Sequence, residues 1–187
     1  MVILSEKFLI VLNSIHLSLK DAISQVNVDN ITDTIEIINK WTIQNNINVK
    51  NFWMAALNPH SGEGGLLGSE ETSIIQPAIE IAKSNSMPIS GPWPADTLFM
   101  KIKASNNDFP PRDVIISLYH DQALIPFKLD GLNNGVNLTA GLPFLRTSVD
   151  HGTAFDIAGK GIASSTPLKN AILITNKLIT NTSSYDE

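Results

Sequence analysis

Three short apolar runs set the terms for any fold this chain adopts: residues 8–15, 52–57 and 114–119. The second, Phe52-Trp53-Met54-Ala55-Ala56-Leu57, has no polar residue to turn toward water. That is the pattern of a strand covered on both faces, as in a parallel sheet packed between helices. Helical spacing fills the intervals. Residues 18–25 form one short stretch, and residues 31–45 a longer one with Ile31, Ile35, Ile38 and Trp41 on a single stripe. Ser69 is placed to cap a further helix, with Glu70 and Glu71 favouring its positive end and Ile74, Ile75, Ala78, Ile79 and Ala82 on the buried face. Residues 87–89 read as a strand ended by Gly91-Pro92, and residues 101–112 as a polar connection punctuated by Pro110-Pro111. From 128 to 161 the chain is glycine-rich rather than periodic. A last helix at 166–180 has Leu168, Ala171, Ile172, Thr175 and Leu178 as its inner face, and 181–187 form a frayed tail. Alternating strands and helices predict one layered α/β unit over residues 1–187, without internal repeats.

Each apolar run leads into a histidine. His16 closes the first, His60 follows the second after Asn58-Pro59, and His120 comes directly after Tyr119. In an open α/β sheet, ligands bind outside the carboxyl ends of the strands. A histidine at a strand end is also an ordinary satisfied polar group. Three at equivalent positions point further, to imidazoles converging on a catalytic divalent metal. His151, in a loop of different character, does not belong with them.

The chain has 187 residues, 43% hydrophobic content, a net charge of −5 and no cysteine. Disulfides and thiolate metal sites are excluded, so any metal must be held by His, Asp or Glu. The acidic balance argues against a partner bound through a nucleic acid backbone. No run approaches the roughly 20 residues of a membrane span. A soluble, cytoplasmic protein with no membrane partner is the expectation, and the Asn-x-Thr/Ser triplets at Asn137 and Asn181 carry no weight as glycosylation sites.

Further polar clusters surround the histidines. The loop from Asn58 to Gly68 joins a strand to a capped helix, and its glycines suit close approach of backbone amides to a ligand. It misses the dinucleotide-binding glycine spacing by one residue, and a flexible turn accounts for it equally well. Asp121, beside His120, is placed to orient an imidazole or a substrate group. Lys128, Asn137 and Arg146 suit a phosphate or carboxylate, although Lys and Arg are most often simply solvated. The stretch Ser148-Val149-Asp150-His151-Gly152-Thr153-Ala154-Phe155-Asp156-Ile157-Ala158-Gly159-Lys160-Gly161 precedes a helix, as cofactor-contacting loops often do.

At these residues the sequence resembles the PdxA family, the 4-hydroxythreonine-4-phosphate dehydrogenases of vitamin B6 synthesis. The resemblance rests on Asn58-Pro59-His60-x-Gly62-Glu63-Gly64-Gly65, Gly91-Pro92-x-Pro94-Ala95-Asp96-Thr97, Tyr119-His120-Asp121-Gln122, and the long motif from Gly141 to Ala154 containing Arg146 and Asp150-His151-Gly152. It covers residues 4–180. Ser18 stands where the family has proline after His-Leu, Ala123 where it has glycine after His-Asp-Gln, and residues 104–112 are longer than its typical segment.

The resemblance implies an α/β/α layered fold of the isocitrate/isopropylmalate dehydrogenase-like type, incomplete relative to the family. It implies His16, His60 and His120 as metal ligands, for zinc first and for magnesium or cobalt as alternatives. Lys128, Asn137 and Arg146 take the substrate-contact positions, and Asp96 and Asp121 are candidates for proton handling or support. Likeness to the nucleotide loop of isocitrate and isopropylmalate dehydrogenases implies NAD or NADP contact at His151, Gly152, Thr153, Ala154, Asp156 and Gly159. The implied reaction oxidises the secondary alcohol of 4-phosphooxy-threonine, a phosphorylated amino acid, and loses CO2 to give 3-amino-2-oxopropyl phosphate. The implied assembly is a homodimer sharing its active site. Two rivals follow: a related dehydrogenase acting on a phospho-threonate or a cis-dihydrodiol, and an inactive remnant that keeps metal binding or dimerisation. The second arises because family enzymes are nearly twice this length, with a substrate-phosphate segment in an N-terminal half that this chain lacks.

Overall fold

The computed structural model describes residues 1–5, 8–103, 112–129 and 135–183. Seven strands form one sheet: β1 (Val2–Leu4), β2 (Leu9–Leu12), β3 (Asn51–Ala55), β4 (Ile89–Trp93), β5 (Asp113–Ser117), β6 (Val136–Leu138) and β7 (Thr147–Val149). Their spatial order is β4-β3-β5-β2-β1-β6-β7. Strands β4, β3, β5 and β2 run parallel, with Leu9 opposite Val114 and Phe52 opposite both Val114 and Ile89. Strand β1 is antiparallel to β2 and β6, and β7 is antiparallel to β6.

Alternate residues of these strands feed two cores. Leu9, Val11, Phe52, Met54, Val114 and Ile116 face a layer made by α2 (Val28–Gln44), α3 (Gln76–Ser84) and α6 (Thr166–Ser183). Ile3, Ile10, Leu12, Ala55 and Ile115 face α4 (Ala95–Lys103) and α5 (His120–Leu129) through Leu98, Ile102, Leu124 and Phe127. The result is the expected α/β/α layering, with the central strands buried on both faces.

The helix α1 (Leu19–Ser24) starts at Ser18, whose hydroxyl accepts from the Asp21 amide at 3.2 Å. Replacing a helix-starting proline with serine therefore supplies a side-chain cap. Ala123, the other departure, is fully buried inside α5, where alanine suits a helix better than glycine.

Several expectations are corrected. Residues 101–103 belong to α4, which begins at Ala95; the rest of the expected polar connection to residue 111, including Pro110-Pro111, lies outside the described residues. Strand β4 does not stop at Gly91-Pro92 but passes through it to Trp93, tolerated because β4 is an edge strand and proline needs no ladder donor there. Region 128–161 carries β6 and β7, pairs of three residues too short to show a period. Ser69 does not cap by its side chain. Its carbonyl instead accepts from the Thr72 and Ser73 amides, and a π turn at Glu71–Ile75 leads into α3, where Pro77 lacks the N–H to close an ordinary turn. Helix α6 buries Ala171, Ile174 and Leu178, whereas Leu168 and Ile172 are exposed, because two apolar stripes compete on this helix and the sheet takes the narrower one. It runs to Ser183, past the expected start of the tail; residues 184–187 lie outside the described residues.

Candidate metal and substrate site

Strands β3, β5 and β2 are adjacent and parallel, so the segments leaving their carboxyl ends emerge side by side on one edge of the sheet. These segments carry His60, His120 and His16. Backbone and side-chain bonds lock the β2 and β5 exits together: the Asn13 amide donates to the Ser117 carbonyl at 2.9 Å, and the Ser14 hydroxyl to the Leu118 carbonyl at 2.8 Å. The imidazoles of His16 and His120 consequently lie with ring centroids 5.5 Å apart. They line a cavity of about 240 Å³ with Tyr119, Asp121 and the apolar residues Leu17 and Leu19.

His120 opens α5, and its Nδ1 lies 2.6 Å from Asp121 Oδ1. A carboxylate accepts a hydrogen bond from Nδ1–H, and a neutral ring bonded in that way keeps the Nε2 lone pair for another partner. This is the arrangement that prepares an imidazole for a metal. Gln122, buried behind it, ties the β5 exit to the β3 exit: its Oε1 accepts from the Leu118 amide at 2.8 Å, and its Nε2 donates to the Ala56 carbonyl at 2.7 Å.

His60 leaves β3 through an unusual backbone. His60, Ser61, Gly62, Glu63 and Gly64 all take left-handed conformations, where a flexible turn or a ligand-cradling loop had been equally open. The Ser61 hydroxyl donates to the Pro92 carbonyl at 3.1 Å, tying this loop to β4. Asp96 lies exposed in the first turn of α4, just past the carboxyl end of β4 and so on the same edge. Beside the loop, the Glu70 carboxyl is held below its ordinary value by its own backbone amide and then by the Asn58 side chain, at 2.7 Å. The stability it adds is present above the unfolded value and is lost as pH falls through the lower folded one.

The residues divide between the two edges of the sheet. Helix α5 runs back from the histidine edge, which puts Lys128 about 12 Å along the axis from His120. There its ammonium pairs with Asp150 Oδ2 at 3.3 Å, in a cavity of about 420 Å³ shared with His151, Ser164 and Thr166. Asn137 is half-buried in the middle of β6, opposite Ile3 and Ser148. Arg146 is exposed at the start of β7, on the histidine edge, and donates to the Thr139 hydroxyl at 2.9 Å. The expected cofactor loop is open: Gly152, Thr153, Ala154, Asp156 and Gly159 are all exposed, and His151 Nδ1 lies 2.8 Å from the neighbouring Gly152 carbonyl. Among the described residues no three His, Asp or Glu side chains meet closely enough to hold a metal ion within one chain. His16 and His120 are brought together; His60 reaches the same edge without joining them.

Such a sheet, with histidines at the carboxyl ends of neighbouring parallel strands, has the layout of an open α/β protein that binds its ligand along that edge. Residues 1–175 match the family model for the pyridoxal phosphate biosynthetic protein PdxA, and the chain belongs to that family. It is 44% identical over 178 residues to a 4-hydroxythreonine-4-phosphate dehydrogenase of Beijerinckia indica, covering 95% of this chain and 51% of the relative. It is 46% identical over 162 residues to a putative D-threonate 4-phosphate dehydrogenase of Halalkalibacterium halodurans, covering 87% and 47%. The crystal structure of 4-hydroxythreonine-4-phosphate dehydrogenase from Klebsiella pneumoniae superposes with a TM-score of 0.81 at 34% identity, over 95% of this chain and 53% of that one. The fold is thus of the isocitrate/isopropylmalate dehydrogenase-like type. The chain spans about half the length of the curated relatives it matches.

The residues that sequence patterns did not single out are Ser14, Gln122 and Glu71. Gln122 stood inside the His-Asp-Gln motif, and its burial was the missing signal. Glu71 sits where sequence position suits the helix dipole, and its bonds to the Leu57 and Asn58 amides add a contact that position alone does not signal.

Proposed function

We propose that this chain supplies the metal-binding half of an NAD(P)-linked dehydrogenase acting on 4-phosphooxy-threonine in the cytoplasm. The observation that supports the reading is that the His16, His60 and His120 segments leave one sheet edge, with His16 and His120 side by side and His120 bonded to Asp121. The donor set fits a borderline divalent cation such as zinc: imidazoles, a supporting carboxylate and no thiolate in the chain. When bound, the metal supplies Lewis-acid polarisation of the substrate alcohol, and the nicotinamide supplies a hydride acceptor.

The chain's own residues then bind and orient. Asp121 orients the His120 ring. Arg146, on the histidine edge, offers a guanidinium to a phosphate or carboxylate. Asp96 lies on the same edge, where a proton leaving the alcohol would be accepted. Oxidation of the alcohol carbon leaves a β-keto acid, which releases CO2 to give 3-amino-2-oxopropyl phosphate. Lys128, with the Asp150–Gly159 loop, serves a substrate or cofactor from the opposite edge. That separation supports a homodimer in which each site draws on both protomers.

Mixing substrate and NAD+ with this chain, alone and beside a full-length relative, tests the proposal through NADH absorbance. Turnover with 4-phosphooxy-threonine above that with D-threonate 4-phosphate is the expected result; the reverse preference transfers the substrate to the phospho-threonate relatives. The division of the residues between two edges also favours a second reading, an inactive portion that keeps metal binding. Bound zinc without turnover of either substrate establishes that reading instead.

A further inference from the structure

We propose that Glu71 is the positioning residue for His60, a role that rests on the metal reading of the histidine edge. Glu71 is 3% exposed, although it carries a carboxyl group. Its Oε1 accepts from the backbone amides of Leu57 at 2.9 Å and Asn58 at 2.7 Å, and its Oε2 accepts from the Asn58 side-chain amide at 2.9 Å. Three donors thus converge on one buried carboxyl group at the point where β3 gives way to the His60 segment.

That segment needs such support. His60, Ser61 and Glu63 have φ of 52°, 54° and 44°, a left-handed backbone that L side chains rarely adopt because Cβ crowds the following carbonyl oxygen. Conformations of this kind persist where the surroundings over-determine them. Glu71 supplies part of that determination. The other side of the contact is Gly62, where a Cβ would sit 2.7 Å from Glu71 Oε2, so the left-handed run closes directly over the carboxyl group. Glu71 opens the π turn Glu71–Ile75, and its side chain reaches the β3 exit from that first turn. Groups that orient a metal ligand from behind commonly change metal affinity about 10–100-fold when altered.

Glu71→Gln keeps the size and one acceptor oxygen, but turns an amide N–H₂ toward a donor. Glu71→Ala removes every bond. Titration of this chain with Co²⁺, followed by calorimetry and by the visible spectrum, reads metal affinity. Urea unfolding of the metal-free chain reads stability separately. The expected result is about 10–100-fold weaker Co²⁺ binding in Glu71→Gln, and weaker still in Glu71→Ala, with an altered cobalt spectrum where binding survives. Wild-type binding that is lost in His60→Ala but unchanged in a folded Glu71→Gln overturns the positioning role and leaves the triad standing. Wild-type chain that binds no Co²⁺, or binds equally in His60→Ala, overturns both.

Discussion

At the scale of single residues, the site depends on groups whose own chemistry is unremarkable. His120 acquires a defined orientation because Asp121 lies 2.6 Å from its Nδ1, and Glu71 becomes a backbone acceptor because it is buried against the Leu57 and Asn58 amides. Gly91 shows the same dependence on surroundings. Its φ is +134°, and a Cβ there would lie 2.5 Å from the Met54 carbonyl oxygen, a backbone atom that cannot move aside. Gly91→Ala is expected to lower stability by about 1–3 kcal/mol or more, read as a lower urea midpoint. An unchanged midpoint would mean that β4 does not pass this close to β3. Residue types were legible in the sequence: the histidines, Asp96, Asp121, Lys128 and Arg146 stood out by type and motif. Their partners were not, because hydrogen bonds such as Gln122 to the Ala56 carbonyl join positions 66 residues apart.

At the scale of elements, periodicity located α1 and α2, and continuous apolar runs located β2, β3 and β5. Strand β6 and β7 pairs of three residues have no room for a period, and α4 was hidden by reading Lys101 and its neighbours as a connection. Helix α6 illustrates a finer limit. Leu168, Ile172 and Leu178 all fit helical stripes, yet Leu178 is fully buried while Ile172 is 61% exposed, and only the neighbouring sheet decides between them. Truncation separates the two faces. Leu178→Ala is expected to cost about 2–5 kcal/mol, whereas Ile172→Ala stays within about 0.5 kcal/mol. Chemical denaturation of both variants checks this, and equal losses would place α6 in a different rotation.

At the scale of the whole molecule, the sheet order is what turns three separate histidines into one edge. Adjacent strands β3, β5 and β2 run the same way, so their exits converge, and α5 necessarily carries Lys128 to the far edge. The sequence pattern anticipated one shared edge, but not that Lys128 lies at the other edge or that His60 stays apart from the His16–His120 pair, because the pairing of distant strands is set by the packed sheet rather than by local spacing. The proposed site, assembled across two protomers, would reconcile both facts. The central claim is that His16, His60 and His120 jointly hold a divalent metal. Metal content after exhaustive dialysis, by mass spectrometry, tests it in wild type and in His16→Ala, His60→Ala and His120→Ala. The account predicts about one ion per protomer in wild type and loss of most of it in each variant; undiminished metal in any one of them would contradict the triad.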